Sequence, residues 1–328
     1  MKTMDVRTFR LENSSGAYVE VTNYGATLLS VVVPDKSGRM DNIILRYDRI
    51  EDYFSDRFYT GSTIGRIANR IARAQFKLNG KTYLLDKNDG KNTNHGGFTG
   101  FNSRIFDYQA NDDQVIFKLL SKNGENGFPG NIFLTVSYSF SDANELRIEY
   151  SAVSDMDTPF NPTNHAYFNL NGCKTNILSH ELKVFADHYL ETDNEYIPTG
   201  KILPLAGSAF DFSDYRNLFP TINTYFIGNS SERLNCLASL RESSSGRILN
   251  VYSSMPGIQI YTGDFLANPF FPLNGIALEA QFYPDFLNQS HFPSCMILRG
   301  EEMKQWIVFE LGIMNYELAG ASVSEAMS

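Results

Sequence analysis

The chain has 328 residues and a formal net charge of −9, with 42% hydrophobic and 20% charged residues. This composition predicts a folded protein with a large core rather than a disordered chain. The acidic balance, without any run of lysine or arginine, opposes binding to nucleic acid or to an anionic membrane, because both require clustered positive charge. We therefore expect a neutral small molecule as the ligand.

Cysteine use and the N-terminal sequence predict a cytoplasmic protein. Cys173, Cys236 and Cys295 are scattered and lack a CxxC spacing, so neither a disulfide framework nor a thiolate metal site is expected. The N-terminus has no apolar signal segment, and no apolar run is long enough to cross a bilayer. The chain also lacks an internal repeat or a low-complexity linker, which favours a single domain over residues 1–328.

Most of the predicted elements are strands. Residues 18–45 are rich in β-branched and aromatic residues and are interrupted by turn-like sequences. Residues 134–140 and 145–152 alternate apolar and polar side chains across the turn sequence SDAN, which predicts an antiparallel hairpin. Similar short runs follow along the chain. The pattern predicts an all-β fold, a large antiparallel β-sandwich with few short helices.

Two regions depart from the strand pattern. In residues 61–76, four polar residues have spacings that a helix would gather on one side, although the glycines allow a loop or a single turn instead; they are Arg66, Asn69, Arg70 and Arg73. Residues 219–245 are the most loop-like, yet Leu234, Leu237 and Leu240 predict that this region still packs.

Residues 161–172, NPTNHAYFNLNG, alternate with a period of two. The pattern predicts a strand with one solvent-facing side, bounded by Pro162 and by the turn signal Asn171-Gly172. The predicted polar side carries His165, Tyr167 and Asn169, and the other side carries Ala166, Phe168 and Leu170. Such a strand holds an imidazole rigidly, although a lone histidine in this setting is most often structural.

His95 has a setting similar to that of His165. Each follows an asparagine within a polar, turn-flanked sequence, whereas the other three histidines lack one. Gly96 and Gly97 would let the backbone approach a ligand closely, and a simple tight turn explains the same sequence equally well.

A carboxylate stands in the middle of an apolar strand pattern in residues 275–293. The alternation predicts Ile276, Leu278 and Ala280 on one face and Glu279 and Gln281 on the other. A buried glutamate is costly unless it is paired or used, and the aromatic surroundings favour a pocket wall. An edge strand with Glu279 in water is the alternative.

A glutamate that accepts a hydroxyl proton and a histidine that donates one together suit proton transfer at neutral pH. Asn69, Arg70 and Gln259 could hold hydroxyl groups, and the many aromatic rings suit the C–H faces of a sugar. The sequence has no P-loop, no HExxH motif and no GxSxG nucleophile elbow, so it gives no support to nucleotide, zinc-protease or serine-hydrolase chemistry.

These residues lie in motifs that resemble the aldose 1-epimerase (galactose mutarotase) family along almost the whole chain. The motifs are, in order, NYGATLLSVVVPDKSGRMDNIIL, GRIANRIARAQFKLNGKTYLL, NHGGFTGFNSRIF, NPTNHAYFNLNG, IPTG, FDF, PGIQIYTGDFL and GIALEAQFYPDFLN. The resemblance implies one β-supersandwich domain and a metal-independent isomerase without a cofactor. It would interconvert the α and β anomers of a free hexose such as galactose or glucose.

By the same resemblance, His165 is the general acid that protonates the ring oxygen, and Glu279 is the general base that takes the proton of the C1 hydroxyl. The positions matching the family's substrate contacts are Asn69, Arg70, His95, Tyr167 and Gln259. One motif departs from the family pattern. The family usually has an aspartate in a GYDH-like loop, whereas residues 229–237, NSSERLNCL, contain Glu232 as the nearest carboxylate. This departure bears on sugar preference.

Three alternatives remain open at the level of sequence. The chain could be a non-catalytic carbohydrate-binding protein, or a related epimerase for a modified sugar or disaccharide. A phosphorylated sugar would need further cations, for which Arg66 and Arg73 are candidates. His95, His165 and Glu279 could instead form a metal site, since two histidines and a carboxylate are a familiar ligand set. A monomer and a homodimer fit the sequence equally well.

Overall fold

The computed structural model describes residues 5–228 and 235–314, and within these ranges the chain consists of β-strands, loops and short 3₁₀ helices. The strands are β1 (Thr8–Glu12), β2 (Tyr18–Thr22), β3 (Thr27–Pro34), β4 (Met40–Asn42), β5 (Thr63–Ile64), β6 (Arg70–Ile71), β7 (Gln75–Leu78), β8 (Lys81–Leu84), β9 (Thr93–Asn94), β10 (Asp107–Ala110), β11 (Gln114–Ser121), β12 (Ile132–Phe140), β13 (Glu145–Ser154), β14 (Thr158–Pro159), β15 (Thr163–Asn164), β16 (Tyr167–Phe168), β17 (Glu181–Val184), β18 (Ala186–Thr192), β19 (Pro198–Pro204), β20 (Arg216–Asn217), β21 (Asn223–Gly228), β22 (Asn235–Arg241), β23 (Arg247–Ser253), β24 (Gly257–Tyr261), β25 (Ile276–Gln281), β26 (Met296–Ile297) and β27 (Glu302–Ile313). The 3₁₀ helices are Ile50–Ser55, Ala72–Ala74, Phe101–Ser103, Glu125–Gly127 and Ile177–Ser179.

Three sheets account for most of the strands. A nine-stranded sheet has the order β10-β11-β12-β13-β27-β23-β22-β17-β20, and a six-stranded sheet has the order β16-β25-β24-β21-β18-β19. The N-terminal strands form a four-stranded sheet in the order β1-β2-β3-β4. Neighbouring strands in all three sheets run antiparallel, which confirms the predicted all-β sandwich class.

The predicted hairpin at residues 134–152 is present as β12 and β13, which pair from Ile132↔Ser154 to Phe140↔Leu146. Its apolar alternation decides which face is buried. Val136 and Tyr150 are fully buried, while the charged side chains of β13 point to the other face. Period-two patterning therefore fixes both the pairing and the orientation of these strands.

The main core lies between the large sheets. One buried cluster joins Val136 and Phe309 of the nine-stranded sheet to Ile258 and Leu278 of the six-stranded sheet, and it extends to Val19 of the N-terminal sheet. Burial of this apolar surface is the main stabilising term for such a sandwich. The six-stranded sheet consequently has one face in the core, and its opposite face carries polar side chains.

The structure corrects two local expectations. Residues 61–76 contain the short strands β5 and β6, a 3₁₀ turn and the start of β7. The helix is therefore wrong and the alternative of a loop or single turn is the better description, since Asn69 and Arg73 have left-handed backbone angles (φ 63 and 57). The supposedly loop-like residues 219–245 contain β21 and β22. Leu237 and Leu240 are fully buried there, as expected, whereas Leu234 lies outside the described residues.

No helix among the described residues has both the length and the apolar character needed to cross a membrane.

Candidate active site

The segment containing His165 forms two short strands instead of the single strand that its sequence predicts, and it is more buried than expected. Residues 161–172 form two short strands, β15 paired with β5 and β16 paired with β25. The expected solvent-facing side is wrong, since Tyr167 and Asn169 are both buried. The Asn169 amide donates to the carbonyls of Thr175 and Asn274, so it holds the backbone together rather than contributing to the site.

Glu279 lies on β25, which runs between β16 and β24, so the edge-strand alternative is wrong. The predicted alternation is present. Leu278 and Ala280 belong to the core cluster, and Glu279 points to the opposite face with 2% of its surface exposed. The core packing of the strand thus fixes where this carboxylate points.

His165 and Glu279 face each other, with His165 Nε2 3.5 Å from Glu279 Oε1. The outer atoms of the pair, His165 Nδ1 and Glu279 Oε2, are buried and have no hydrogen-bond partner among the described residues. Burial lowers the pKa of His165 to about 4 and raises the pKa of Glu279 to about 8. Between these values the pair holds one proton, which can reside on either group.

The pair lies on the wall of a cavity of about 200 Å³. This volume is below the roughly 300–1,000 Å³ of sites for drug-sized ligands, so the cavity suits a smaller molecule. The cavity includes all seven of the site residues expected from the sequence. Its lining is Arg57, Phe58, Tyr59, Asn69, Arg70, Asn94, His95, His165, Tyr167, Asn223, Gln259, Tyr261, Phe265 and Glu279.

The six-stranded sheet supplies one wall of the cavity. Gln259 of β24 pairs directly with Glu279 of β25, and Tyr167 of β16 pairs with Ala277. Side chains on one face of adjacent strands lie close together, so the register brings these groups to a single surface.

A second part of the lining comes from the short ribbon of β6 and β9, in which Arg70 pairs with Asn94. The Asn69 backbone N–H donates to His95 Nδ1 at 3.2 Å. Burial lowers the pKa of His95 well below its ordinary value, so the ring is neutral and carries its proton on Nε2. His95 is therefore a fixed hydrogen-bond donor.

Of the two explanations for the glycines after His95, the tight turn is present, since the Gly97 backbone N–H donates to the Asn94 carbonyl at 3.1 Å. A Cβ on Gly96 would collide with the backbone carbonyl of Gly65, and one on Gly97 would press against Asn126 and Asp86. Close packing within the protein requires these glycines, and an approach to a ligand does not.

Arg70 is held in place on two sides. Its Nε donates to Asp89 Oδ2 at 2.7 Å, and its guanidinium lies 5.1 Å from the centre of the Tyr196 ring. Its charge also lowers the pKa of Glu279, against the larger effect of burial. Arg70 thus favours the ionised carboxylate that a base requires.

Sequence reasoning missed seven of the lining residues. Two had usable signals, because Tyr261 shares the alternation of β24 with Gln259 and Asn94 directly precedes His95. Tyr59 had none, although its ring centre lies 4.7 Å from that of His95 and 5.8 Å from that of His165. Its loop is held by contacts between distant parts of the chain, such as the hydrogen bond from the Gly61 backbone N–H to the His165 carbonyl. The others are Arg57, Phe58, Asn223 and Phe265.

Arg66 and Arg73 do not line the cavity. Arg66 is buried, and its guanidinium donates to Ser121 and to the carbonyls of Pro129 and Lys122. Arg73 is exposed. Neither supplies the cation that a phosphorylated sugar would need in this cavity. Glu232, the proposed substitute for the loop aspartate, lies outside the described residues.

The possible metal ligands of His95, His165 and Glu279 lie within 4.8 Å of one another. Two ligands on one ion with bonds of about 2.1 Å can be no more than about 4.2 Å apart. The trio would therefore have to close slightly around an ion.

Comparison with known proteins shows the family. The family model described as aldose 1-epimerase matches residues 7–310. The chain is 37% identical over 326 residues to galactose mutarotase of Mus musculus, with 94% of each chain covered. It is 34% identical over 319 residues to aldose 1-epimerase of Escherichia coli (strain K12), with 90% of this chain and 92% of the relative covered.

Solved structures give the same result. The crystal structure of a GalM/aldose epimerase homologue from C. elegans matches with a TM-score of 0.91 at 28% identity, covering 94% of this chain and 100% of that one. Galactose 1-epimerase from Lactobacillus acidophilus NCFM matches with a TM-score of 0.84 at 30% identity, covering 96% and 97%. The chain belongs to the aldose 1-epimerase family.

Proposed function

We propose that this protein interconverts the α and β anomers of a free hexose, with His165 and Glu279 as its proton-transfer pair. As a member of the aldose 1-epimerase family, the chain is an isomerase. The observation that carries the proposed roles is the 3.5 Å approach of a buried imidazole and a buried carboxyl on the wall of a cavity that fits a small polar molecule.

The proposed reaction moves one proton through the sugar. The Glu279 carboxylate accepts the proton of the C1 hydroxyl while the His165 imidazolium donates to the ring oxygen, and the bond between C1 and the ring oxygen breaks. This step yields the open-chain aldehyde, a neutral imidazole and a protonated carboxyl. After rotation about the C1–C2 bond, the C5 hydroxyl returns its proton to His165 and Glu279 reprotonates the aldehyde oxygen as the ring closes.

The burial of the pair suits this cycle. Burial disfavours the imidazolium–carboxylate pair from which ring opening starts and favours the neutral imidazole and protonated carboxyl that accompany the open-chain sugar. The free energy of the open-chain state is therefore lowered relative to that of the starting state. Each proton transfer is expected to contribute about 10²- to 10⁴-fold in rate.

Five further residues would hold the sugar. Arg70 and neutral His95 donate hydrogen bonds, and the Tyr167 ring lies beside the His165 ring with centres 4.9 Å apart. Asn69 and Gln259 are linked by a hydrogen bond of 3.0 Å and present amides to the cavity. Fixed groups of this kind favour the geometry in which the reacting atoms are aligned.

Galactose and glucose are the proposed substrates, and the names of the mammalian relatives favour galactose. We further propose that residues 1–328 form one domain that acts in the cytoplasm, as a monomer or homodimer, without a cofactor or metal and without nucleic-acid or membrane partners. The negative net charge and the three free cysteines support this setting.

The proposal is tested by polarimetry on freshly dissolved α-anomers of several aldoses. Acceleration above the spontaneous rate is expected for at least one hexose. The trio of His95, His165 and Glu279 makes a metal-dependent enzyme the second candidate, so the same assay is repeated after exhaustive chelation. A retained rate supports the metal-free reaction, whereas a loss that added metal restores would favour the second candidate.

A further inference from the structure

Three side-chain amides form a hydrogen-bonded chain along the cavity wall. Asn69 Nδ2 donates to Gln259 Oε1 at 3.0 Å, and Gln259 Nε2 donates to Asn223 Oδ1 at 2.8 Å. All three residues line the cavity.

The direction of this chain is set at its Asn69 end. The Arg70 backbone N–H lies 2.9 Å from Asn69 Oδ1, and because that group can only donate, Asn69 must face it with oxygen. The Asn69 amino group therefore points to the oxygen of Gln259, and the Gln259 amino group to the oxygen of Asn223. One backbone donor thus assigns all three amides, whose oxygen and nitrogen would otherwise be interchangeable.

Asn223 is the free end of the chain. Its oxygen receives the hydrogen bond from Gln259, and its Nδ2 group has no acceptor among the described residues. The backbone holds this end firmly, because Asn223 begins β21 and pairs with Tyr261 of β24, two residues from Gln259. A fixed amino group with two N–H donors therefore faces the cavity.

The Asn223 amino group lies in a cavity whose described lining has few groups that carry a negative charge. Glu279 is the only carboxylate among the described residues of the cavity, and the proposed reaction commits it to the C1 hydroxyl. We propose that Asn223 is a specificity-determining residue that donates a hydrogen bond to the oxygen of one non-anomeric hydroxyl of the sugar. This inference rests on the proposed function and adds the polarity of one contact to it.

The polarity of the contact can be reversed at one atom. In Asn223→Asp, one carboxylate oxygen still accepts from Gln259, but the other accepts where the amide donated. A hydroxyl satisfies both versions, since it donates and accepts. Fluorine accepts only, and a deoxy position does neither, so paired deoxyfluoro and deoxy sugars separate the two versions.

The experiment measures kcat/KM for the deoxyfluoro and deoxy analogues at C2, C3, C4 and C6 of the best aldose. The quantity compared is the fluoro-to-deoxy ratio relative to that of Asn223→Ala, so that the intrinsic effect of fluorine on ring opening cancels. At one position the wild-type ratio should be higher by about 3- to 10-fold, the value of one hydrogen bond. The Asn223→Asp ratio should fall below that of Asn223→Ala at the same position.

Asn194→Asp, which makes the same charge change at an exposed residue outside the cavity, should keep the wild-type ratio.

Equal ratios for the wild type and Asn223→Ala at every position would overturn the inference, even if Asn223→Asp does not fold. The wild-type rate on the parent hexose is recorded in the same assay. A normal parent rate with equal ratios refutes this inference alone, whereas no acceleration of any aldose refutes the proposed function. In the latter case, calorimetric binding of the same analogues tests the Asn223 contact by the same ratios.

Discussion

His165 and Glu279 lie where neither can carry a full charge without loss of solvation. Both side chains are almost fully buried, and the shift of each pKa favours the uncharged form. Two groups that each resist charging, 3.5 Å apart, are well matched for passing one proton back and forth. The contribution of either residue to the reaction rate therefore depends on the presence of the other.

The shared proton predicts a pH profile. Below about pH 4 both groups are protonated, and above about pH 8 neither is, so only the interval between these values has the single proton that the cycle needs. We expect kcat/KM to be level inside this interval and to fall about tenfold per pH unit above it.

The profile is measured by polarimetry from pH 5 to 10, with the spontaneous rate in each buffer subtracted. An alkaline limb near pH 8 fits the burial of Glu279. A rate that stays level to pH 10 would contradict a carboxyl of raised pKa as the titrating group.

At the scale of elements, the alternation of apolar and polar residues predicted the orientation of one strand at the site and failed for another. The pattern of β25 gave both the core face and the direction of Glu279, because burial of Leu278 and Ala280 leaves only one orientation for the strand. The pattern at residues 161–172 misled, because Tyr167 on the face predicted to be exposed lies in a buried cluster with the loop residues Tyr47 and Leu266. A local sequence pattern shows which residues share a face, but it does not show what packs against that face.

Residues 61–76 illustrate a second limit. A helix would have gathered their four polar residues on one side, but Asn69 and Arg70 enter the cavity while Arg66 and Arg73 do not. The left-handed backbone at Asn69 and Arg73 separates them. Tertiary contacts decide such angles, so spacing along the chain could not predict the division.

Arg66 is accordingly predicted to act on stability. Its buried guanidinium makes four hydrogen bonds, so Arg66→Ala would leave two carbonyls and the Ser121 groups without this partner. We expect a loss of about 3 kcal/mol or more in the free energy of unfolding. Urea titration measures it, with the exposed Arg73→Ala as the matched control, for which a change within about 0.5 kcal/mol is expected. Equal effects of the two substitutions would contradict the structural role of Arg66.

At the scale of the whole molecule, the two faces of the six-stranded sheet have different roles. The inner face of the six-stranded sheet is core, and its outer face carries the proposed catalytic and binding groups. Strand content and antiparallel class were predictable from alternation, and the family from ordered motifs. The order of the strands and the closure of the cavity were not, because they depend on contacts between distant segments.

Burial of histidine also predicts how the whole fold responds to acid. Burial lowers the pKa of His180 to about 4, and its Nε2 accepts the Leu170 backbone N–H at 2.9 Å. In the unfolded chain a histidine takes up a proton near pH 6.5. The unfolded state therefore binds more protons between pH 6.5 and 4, and stability falls as the pH falls through this window.

His180→Gln keeps a hydrogen-bond acceptor but removes the titration. We expect the loss of unfolding free energy between pH 6.5 and 5 to be smaller in this variant by about 1–2 kcal/mol. Urea titrations at both pH values test it, with the exposed His188→Gln as control. A pH dependence identical to that of the wild type would show that His180 does not contribute.

The central claim is that His165 and Glu279 act as one proton-transfer unit. The most direct measurement is the mutarotation rate of the wild type, His165→Ala, Glu279→Gln and the double variant, with folding of each checked by circular dichroism. Each single substitution should lower kcat by about 10²- to 10⁴-fold, and the double variant should be little slower than the slower single variant, because residues that act together are not additive. Wild-type activity in Glu279→Gln, or losses that multiply in the double variant, would contradict the shared-proton mechanism.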